Sequence, residues 1–303
     1  MNPIFKQKIK GKVLFVHNEL LYRYNFGKIV NDRSVNSNAA MALQLPANSF
    51  LEKLSYSCHL AARLLRNGVH HFIPLGNKDC AFIYNKRLQI IQSGEVLFDE
   101  PIPGSRPLSF EKIGNKLIFG EYRSNPERTP ISIFSIDLKE KPSLFRAYSF
   151  EGIRHIHGIY QDPHTEAVYI TTGDENNEAA IYKADESFQT MVKVMSGSQQ
   201  TRAIKLLFDK NFIYFGSDAP HEKNYLYKIN KQDKQLTQLT GMGSSVFHGC
   251  KVNNWLFFST AIEPSKVNKT KVAEVWASPD GDNWKCILTF KKDIFPMRYF
   301  QYG

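Results

Sequence analysis

The chain has 303 residues, 42% of them hydrophobic and 22% charged, a balance that excludes intrinsic disorder and allows one large all-β domain or two ordinary ones. It carries a net charge of +10. That raises the prospect of a polyanionic partner, but the Lys and Arg residues are dispersed, so charge alone does not point to nucleic acid.

The N-terminus, MNPIFKQKIKGKVLF, opens on a basic stretch at 6–12 and has no apolar core of a leader peptide. No run of 18 apolar residues follows anywhere, which leaves a cytoplasmic chain, not anchored in a membrane, as the expectation. Residues 10–46 read as an incomplete strand unit. Next comes a helical pattern at 49–67. Leu51, Leu54, Cys58, Ala61 and Leu65 share one face, Ser49 and Glu52 form a capping box, and Gly68 suits the stop. One short helix is expected here, plugging an end of the structure.

From residue 68 onward a single grammar repeats: an extended run, a tight polar turn, a second apolar run, then two shorter strands. The opening hairpins are 70–91, 106–122, 154–174, 201–218 and 245–260. Their turns carry Gly-Asn, Asp-Pro, Asp-Lys-Asn and Asn-Asn, which are hairpin chemistry. A period of about 40 to 50 residues with about four strands per unit predicts an all-β fold, a single β-propeller of about six four-stranded blades spanning 1–303. The blades are expected near 68–103, 104–150, 151–200, 201–243 and 244–293, with the 10–46 unit and the C-terminal strand around Met297 closing the ring. The four cysteines, Cys58, Cys80, Cys250 and Cys286, have no spacing that suggests a zinc site or a disulfide framework.

In such a fold the start of strand one and the end of strand two of each blade reach the same end of the channel. The strand-one starts carry His70, His71, Arg106, Arg154, His155, His157, Arg202, His248 and Arg298. The strand-two ends carry Glu121, Asp174, Asp218 and Glu263. This predicts a channel-mouth site with Asp174, Asp218, Glu121 and His155 in catalytic roles, and Arg106, His157, Arg202, His248 and Arg298 holding the ligand. Guanidiniums and imidazoles among carboxylates suit a glycan or other small polar ligand, acidic or polyhydroxylated. A glycoside hydrolase would need two carboxylates about 5 to 9.5 Å apart across an open cavity. A lyase acting on a uronate needs a base. The same groups can also serve only to tie blades together, in a non-catalytic glycan-binding or protein-interaction scaffold. The His-Ile-His of 155–157 should put both imidazoles on one side of a strand, an arrangement open to a metal but equally to plain channel lining. No residue set is therefore assigned to a metal. Cofactor and oligomeric state are left open, and no nucleic-acid or membrane partner is expected.

Two sets of residues carry a resemblance. The stretch 278–284, SPDGDNW, after the strand 273–277, is similar to a shortened Asp-box, the turn of sialidase-type BNR-repeat propellers. The segments 63–75, 104–108, 120–130, 154–163, 172–174 and 216–228 together resemble bacterial and archaeal sialidase-like propellers of a glycosyl-hydrolase-like group. The resemblance covers roughly residues 60 to 300 and implies fold far more than function. Carried onto a sialidase, it would make Arg106, Arg202 and Arg298 an arginine triad and Tyr122 or Tyr299 a nucleophile. The repeated Asp-boxes of that family are missing.

Overall fold

The computed structural model describes residues 12–17, 20–25, 27–33, 41–45, 47, 49–76, 79–296 and 299, with the side chains of most strand residues before 43 and of His59 left out. It resolves into two compact units, 1–102 and 103–303.

The first unit holds two four-stranded antiparallel sheets. One is β1 (Lys12–His17), β2 (Leu20–Asn25), β3 (Lys28–Arg33) and β4 (Met41–Gln44). The other is β5 (Val69–Pro74), β6 (Cys80–Tyr84), β7 (Arg87–Gln92) and β8 (Glu95–Pro101). The unit at 10–46, expected to be incomplete, thus has all four strands. Between the sheets lie two helices rather than one, α1 (Phe50–Ser57) and α2 (His59–Leu65), broken at Cys58, whose extended backbone ends the first and begins the second. The Ser49–Glu52 capping box forms as expected. The stop is Arg66, in the left-handed conformation, two residues before Gly68. The predicted apolar face is not the packed one. Leu51 and Leu54 are exposed, while Ser55 and Tyr56 are buried, and Tyr56 joins Ile29, Leu45, Val69, Phe82 and Tyr84 in the core of this unit.

The second unit holds four sheets of the same up-and-down order: β9 (Phe110–Ile113) to β12 (Leu144–Phe150), β13 (Ile156–Gln161) to β16 (Met191–Ser196), β17 (Ala203–Phe208) to β20 (Leu236–Met242), and β21 (Val246–Val252) to β24 (Lys285–Lys291). Within them the second and third strands are β10 (Lys116–Gly120) and β11 (Ile131–Asp137), β14 (Val168–Thr172) and β15 (Ala180–Ala184), β18 (Phe212–Ser217) and β19 (Asn224–Asn230), and β22 (Trp255–Thr260) and β23 (Val272–Ser278). The fold is an all-β propeller. Its regular blade succession counts five, β5–β8 through β21–β24, against the six expected. The sheet of β1–β4 stands outside that succession in sequence, beyond the two helices.

Burial explains why the sequence lacks clean alternation. All five residues of β14 and the first six of β11 are buried, because neighbouring sheets cover both faces. The outer strands β16, β20 and β24 are largely exposed. The core therefore lies between sheets. Ile118, Ile133, Ile156 and Ile170 fill the first seam of the second unit, Tyr169, Ala203, Phe215 and Tyr227 the next, and Tyr214, Val246 and Phe258 the last. The first strands β13, β17 and β21 lie side by side in succession.

Two seams depend on glycine for closeness. A Cβ at Gly216 would lie 2.4 Å from the Val246 Cβ, and one at Gly120 would lie 2.6 Å from the Ile156 Cβ. Gly216→Ala should therefore destabilise the fold by about 1–3 kcal/mol, through overpacking against β-branched side chains that have nowhere to go. Gly241→Ala, whose Cβ would meet nothing nearer than 3.8 Å, should cost far less in the same chemical denaturation series.

The seam between the sheets of β13–β16 and β17–β20 is also closed by charge. The fully buried Asp162 pairs with Lys231 at 2.6 Å and accepts the His164 N–H and the Thr165 hydroxyl. Burial works against its charge, but Lys231 and these donors outweigh it and hold the carboxyl below its ordinary range. A carboxyl held low in the folded state stabilises it fully above about pH 4 and loses that contribution as pH falls. Denaturation midpoints from pH 6 down to 2 should decline more shallowly for Asp162→Asn than for the native chain.

Candidate functional site

Asp174 follows β14 at the end of the second strand, and Gly173 puts it there. Gly173 has φ +89, and a Cβ at this position would lie 2.2 Å from the Glu178 carbonyl carbon, so the chain can make this turn only with glycine. The turned carboxylate is surrounded by donors. Oδ1 lies 3.3 Å from His155 Nε2, 3.2 Å from His157 Nε2 and 3.1 Å from an Arg202 terminal nitrogen. Oδ2 accepts from Arg154 at 3.2 Å. The Asp174 backbone carbonyl takes two more donors, Gln199 Nε2 at 2.8 Å and Arg202 Nη1 at 3.2 Å. Arg202 reaches further, donating through Nε to Asp218 at 3.0 Å. One guanidinium thus joins the carboxylates of two adjacent blades.

The imidazoles arrive by a device the sequence did not disclose. The pairing of β13 with β14 shifts register between Ile156 and Gly158, so His157 is the extra residue of a β-bulge rather than a member of a simple alternation. The shift recurs near the start of the first strand in the pairs β5–β6, β17–β18 and β21–β22. With His155 one residue ahead of the strand, both rings meet Nε2 to Nε2 at 3.1 Å, both buried. Among the described residues neither Nδ1 has a hydrogen-bond partner, so these rings are aimed entirely by their Nε2 ends. The Tyr122 ring stacks on His155, centroid to centroid 4.1 Å.

Electrostatics follow from this packing. Burial alone would raise the Asp174 carboxyl, but the two imidazoles and Arg202 outweigh it and hold it far below the carboxylate range. Burial pushes the His157 imidazole down, against the pull of Asp174. Burial, then the nearby charges of Asp174 and Asp218, push the Tyr122 phenol up. His155, His157 and Asp174 are the described residues whose donor atoms converge closely enough to hold a metal ion.

The network opens onto a cavity of about 560 Å³ lined by Arg154, Asp174, Gln199, Arg202 and His221, with Glu175, Asn176, Asn177 and Pro220 completing the wall. Of the residues expected from the sequence, Asp174, Asp218, His155, His157, Arg154 and Arg202 come together. Glu121 is buried but bound elsewhere, by Arg123 at 2.7 Å and the Ser132 N–H at 3.1 Å. His248 is exposed, and Arg106 and Glu263 are half-buried in connections, none of them among these contacts. His70 and His71 lie in the first unit, and Arg298 and the closing strand around Met297 lie outside the described residues. The sequence reading missed Gln199 and the buried Glu178, which accepts the Arg154 N–H at 3.0 Å and pairs with Arg128. Glu178 sits in a turn and Gln199 opens a single 3₁₀ turn, and neither carries a motif.

No protein-family model matches the chain, and no curated protein matches it. Solved structures do match. One, from the crystal structure of a mitotic checkpoint complex, is 9% identical with a TM-score of 0.59, over 92% of this chain and 79% of that one. A quinoprotein alcohol dehydrogenase-like protein from Bacteroides thetaiotaomicron is 13% identical with a TM-score of 0.58, over 92% and 65%. An oligogalacturonate lyase in complex with manganese is 11% identical with a TM-score of 0.52, over 86% and 73%. At these identities the likeness is one of fold, and it bears out the propeller; the sialidase-like resemblance gains no family match. The 278–284 turn is nevertheless well formed. Ser278 and Asp280 accept the Gly281, Asp282 and Asn283 N–H groups, and Trp284 donates to the Gly281 carbonyl.

Asp174→Ala would take the shared carboxylate from two buried imidazoles and one of Arg202's acceptors, leaving it Asp218, and should cost about 3 kcal/mol in denaturation. Arg154→Ala, removing a guanidinium with 36% of its side-chain surface exposed, should cost less than about 1 kcal/mol.

Proposed function

We propose that the chain binds an acidic, polyhydroxylated glycan in the cavity that Asp174, Arg154 and Arg202 line. The carrying observation is that two guanidiniums, two carboxylates and the Gln199 amide line one concave site large enough for a saccharide. Arginine offers paired donors to a sugar carboxylate, and carboxylate and amide groups suit sugar hydroxyls. The proton inventory chooses between the two catalytic readings. Hydrolysis needs a carboxylic acid that keeps its proton near neutrality. Asp174 is held below the carboxylate range by its imidazoles and Arg202, Asp218 and Glu121 are each tied to a guanidinium, and Glu175 stands on the cavity wall as a further carboxylate. Elimination across a uronate makes no such demand. A base, for which His221 on the cavity wall is in place, takes the proton beside the carboxylate as the bond to the glycosyl oxygen breaks. That oxygen leaves protonated by solvent, and the step profits from cations that neutralise the carboxylate. Lyase-type chemistry, which uses the guanidiniums directly, is the reading preferred over a hydrolase.

A second reading has its own observation. Arg202 bridges Asp174 and Asp218 across adjacent blades, which is what a purely structural tie would do. A scaffold of that kind would bind no saccharide.

Calorimetric titration with oligogalacturonates and with neutral cello-oligosaccharides separates these readings. The acidic series should bind at least about tenfold more tightly, and Arg154→Ala should weaken it by about tenfold or more, the scale of one charge-assisted hydrogen bond. Release of an unsaturated uronate, followed by its ultraviolet absorbance, reports elimination. Absence of saccharide binding by the folded native chain would leave the scaffold.

A further inference from the structure

We infer that His155, His157 and Asp174 form a binding site for one divalent transition-metal ion. The inference rests on where their donor atoms converge, and stands whether or not the cavity ligand is a glycan.

The three atoms form a nearly equilateral triangle: 3.1 Å between the two Nε2 atoms, and 3.3 and 3.2 Å from these to Asp174 Oδ1. A point about 2.1 Å from all three, the usual metal–ligand distance for such donors, lies about 1 Å out of their plane and subtends angles of about 100°. That is the geometry of three ligands on one face of a tetrahedral or octahedral ion, with its remaining positions open. Two neutral imidazoles and one carboxylate are also a donor set that suits first-row transition metals better than Mg²⁺ or Ca²⁺.

Protons alone satisfy this triangle poorly. If both Nε2 atoms carry hydrogen, two N–H groups crowd one oxygen and the 3.1 Å contact between the nitrogens cannot be a hydrogen bond. If one gives its hydrogen up, its lone pair faces a carboxylate, and its own buried Nδ1–H has no partner among the described residues. A cation accepts both imidazole lone pairs and the carboxylate oxygen at once.

Charge adds a consequence. Arg154, Arg202, Asp174 and Asp218 sum to zero, so the bound ion gives the cluster two net positive charges beside the cavity. Arg202 keeps its contacts to Asp174 and Asp218, and an anionic ligand would then meet the ion and Arg154 together. The Nδ1 atoms set a limit. Metal-binding imidazoles are usually buttressed there by an acceptor, and loss of such a partner costs about 10–100-fold in affinity. The ion should therefore bind with a dissociation constant on the order of micromolar rather than nanomolar, and Zn²⁺ or Co²⁺ more tightly than Mn²⁺.

The test uses the full chain stripped with a chelator and no saccharide present. Zn²⁺ is titrated in competition with a chromophoric chelator, and Co²⁺ is followed by its ligand-field absorption. One ion per chain is expected. His157→Gln and Asp174→Asn should each weaken uptake by about tenfold or more, while the exposed His164→Ala should leave it unchanged. Circular dichroism identifies any variant that fails to fold, and the other then decides. No stoichiometric uptake by the native chain, or uptake undiminished in both folded variants, overturns the site. Because no glycan takes part, failure of glycan binding and failure of metal binding are read separately.

Discussion

A single carboxylate with more donors than it can satisfy symmetrically organises this molecule's polar interior. Asp174 accepts from two imidazoles and two guanidiniums, and its own carbonyl holds Gln199 and Arg202. None of this arrangement survives without Gly173, which turns the chain so that the carboxylate faces the neighbouring blade. Desolvation should penalise a charge in that position, and the surrounding cations and N–H groups reverse the penalty. The result is a carboxyl held below its ordinary range, which suits it to holding cations in place rather than to giving up a proton.

The same network explains why structural and functional readings are hard to separate in this fold. A guanidinium spanning two carboxylates is an economical way to join blades. It also leaves its exposed edge, with that of Arg154, at the wall of a cavity. Under the proposed function, joining and binding would be two faces of one cluster.

Much of this was legible in the chain itself. The strand grammar of 106–122, 154–174 and 201–218 placed the hairpins, because turn residues and apolar runs recur at a fixed spacing. The register argument named Arg154, His155, His157, Asp174, Arg202 and Asp218, and these side chains lie together. Glu121 and His248 are not among those contacts, and the reasons differ. Glu121 found a nearer cation in Arg123, two residues on, which no long-range pattern predicts. His248 lies just past a bulge, and an inserted residue changes which way the following side chains face. The helical pattern at 49–67 misled for a related reason. Periodicity marks an apolar stripe, but Cys58 breaks the helix, and the packed residues are Ser55 and Tyr56.

The seam between the sheets of β13–β16 and β17–β20 is fastened at two places, by Arg202 to Asp174 and by Lys231 to Asp162, with the Tyr160 hydroxyl donating to the Ile204 carbonyl between them. His155, His157 and Asp174 belong to one blade and Arg202 and Asp218 to the next. A chain in which these two blades have not yet docked therefore lacks the guanidinium that joins the two carboxylates. Amide protons along this seam would then exchange only through openings that also dismantle the cluster. A bound ion or anion would slow them together, and they would serve as an internal clock for the last step of assembly.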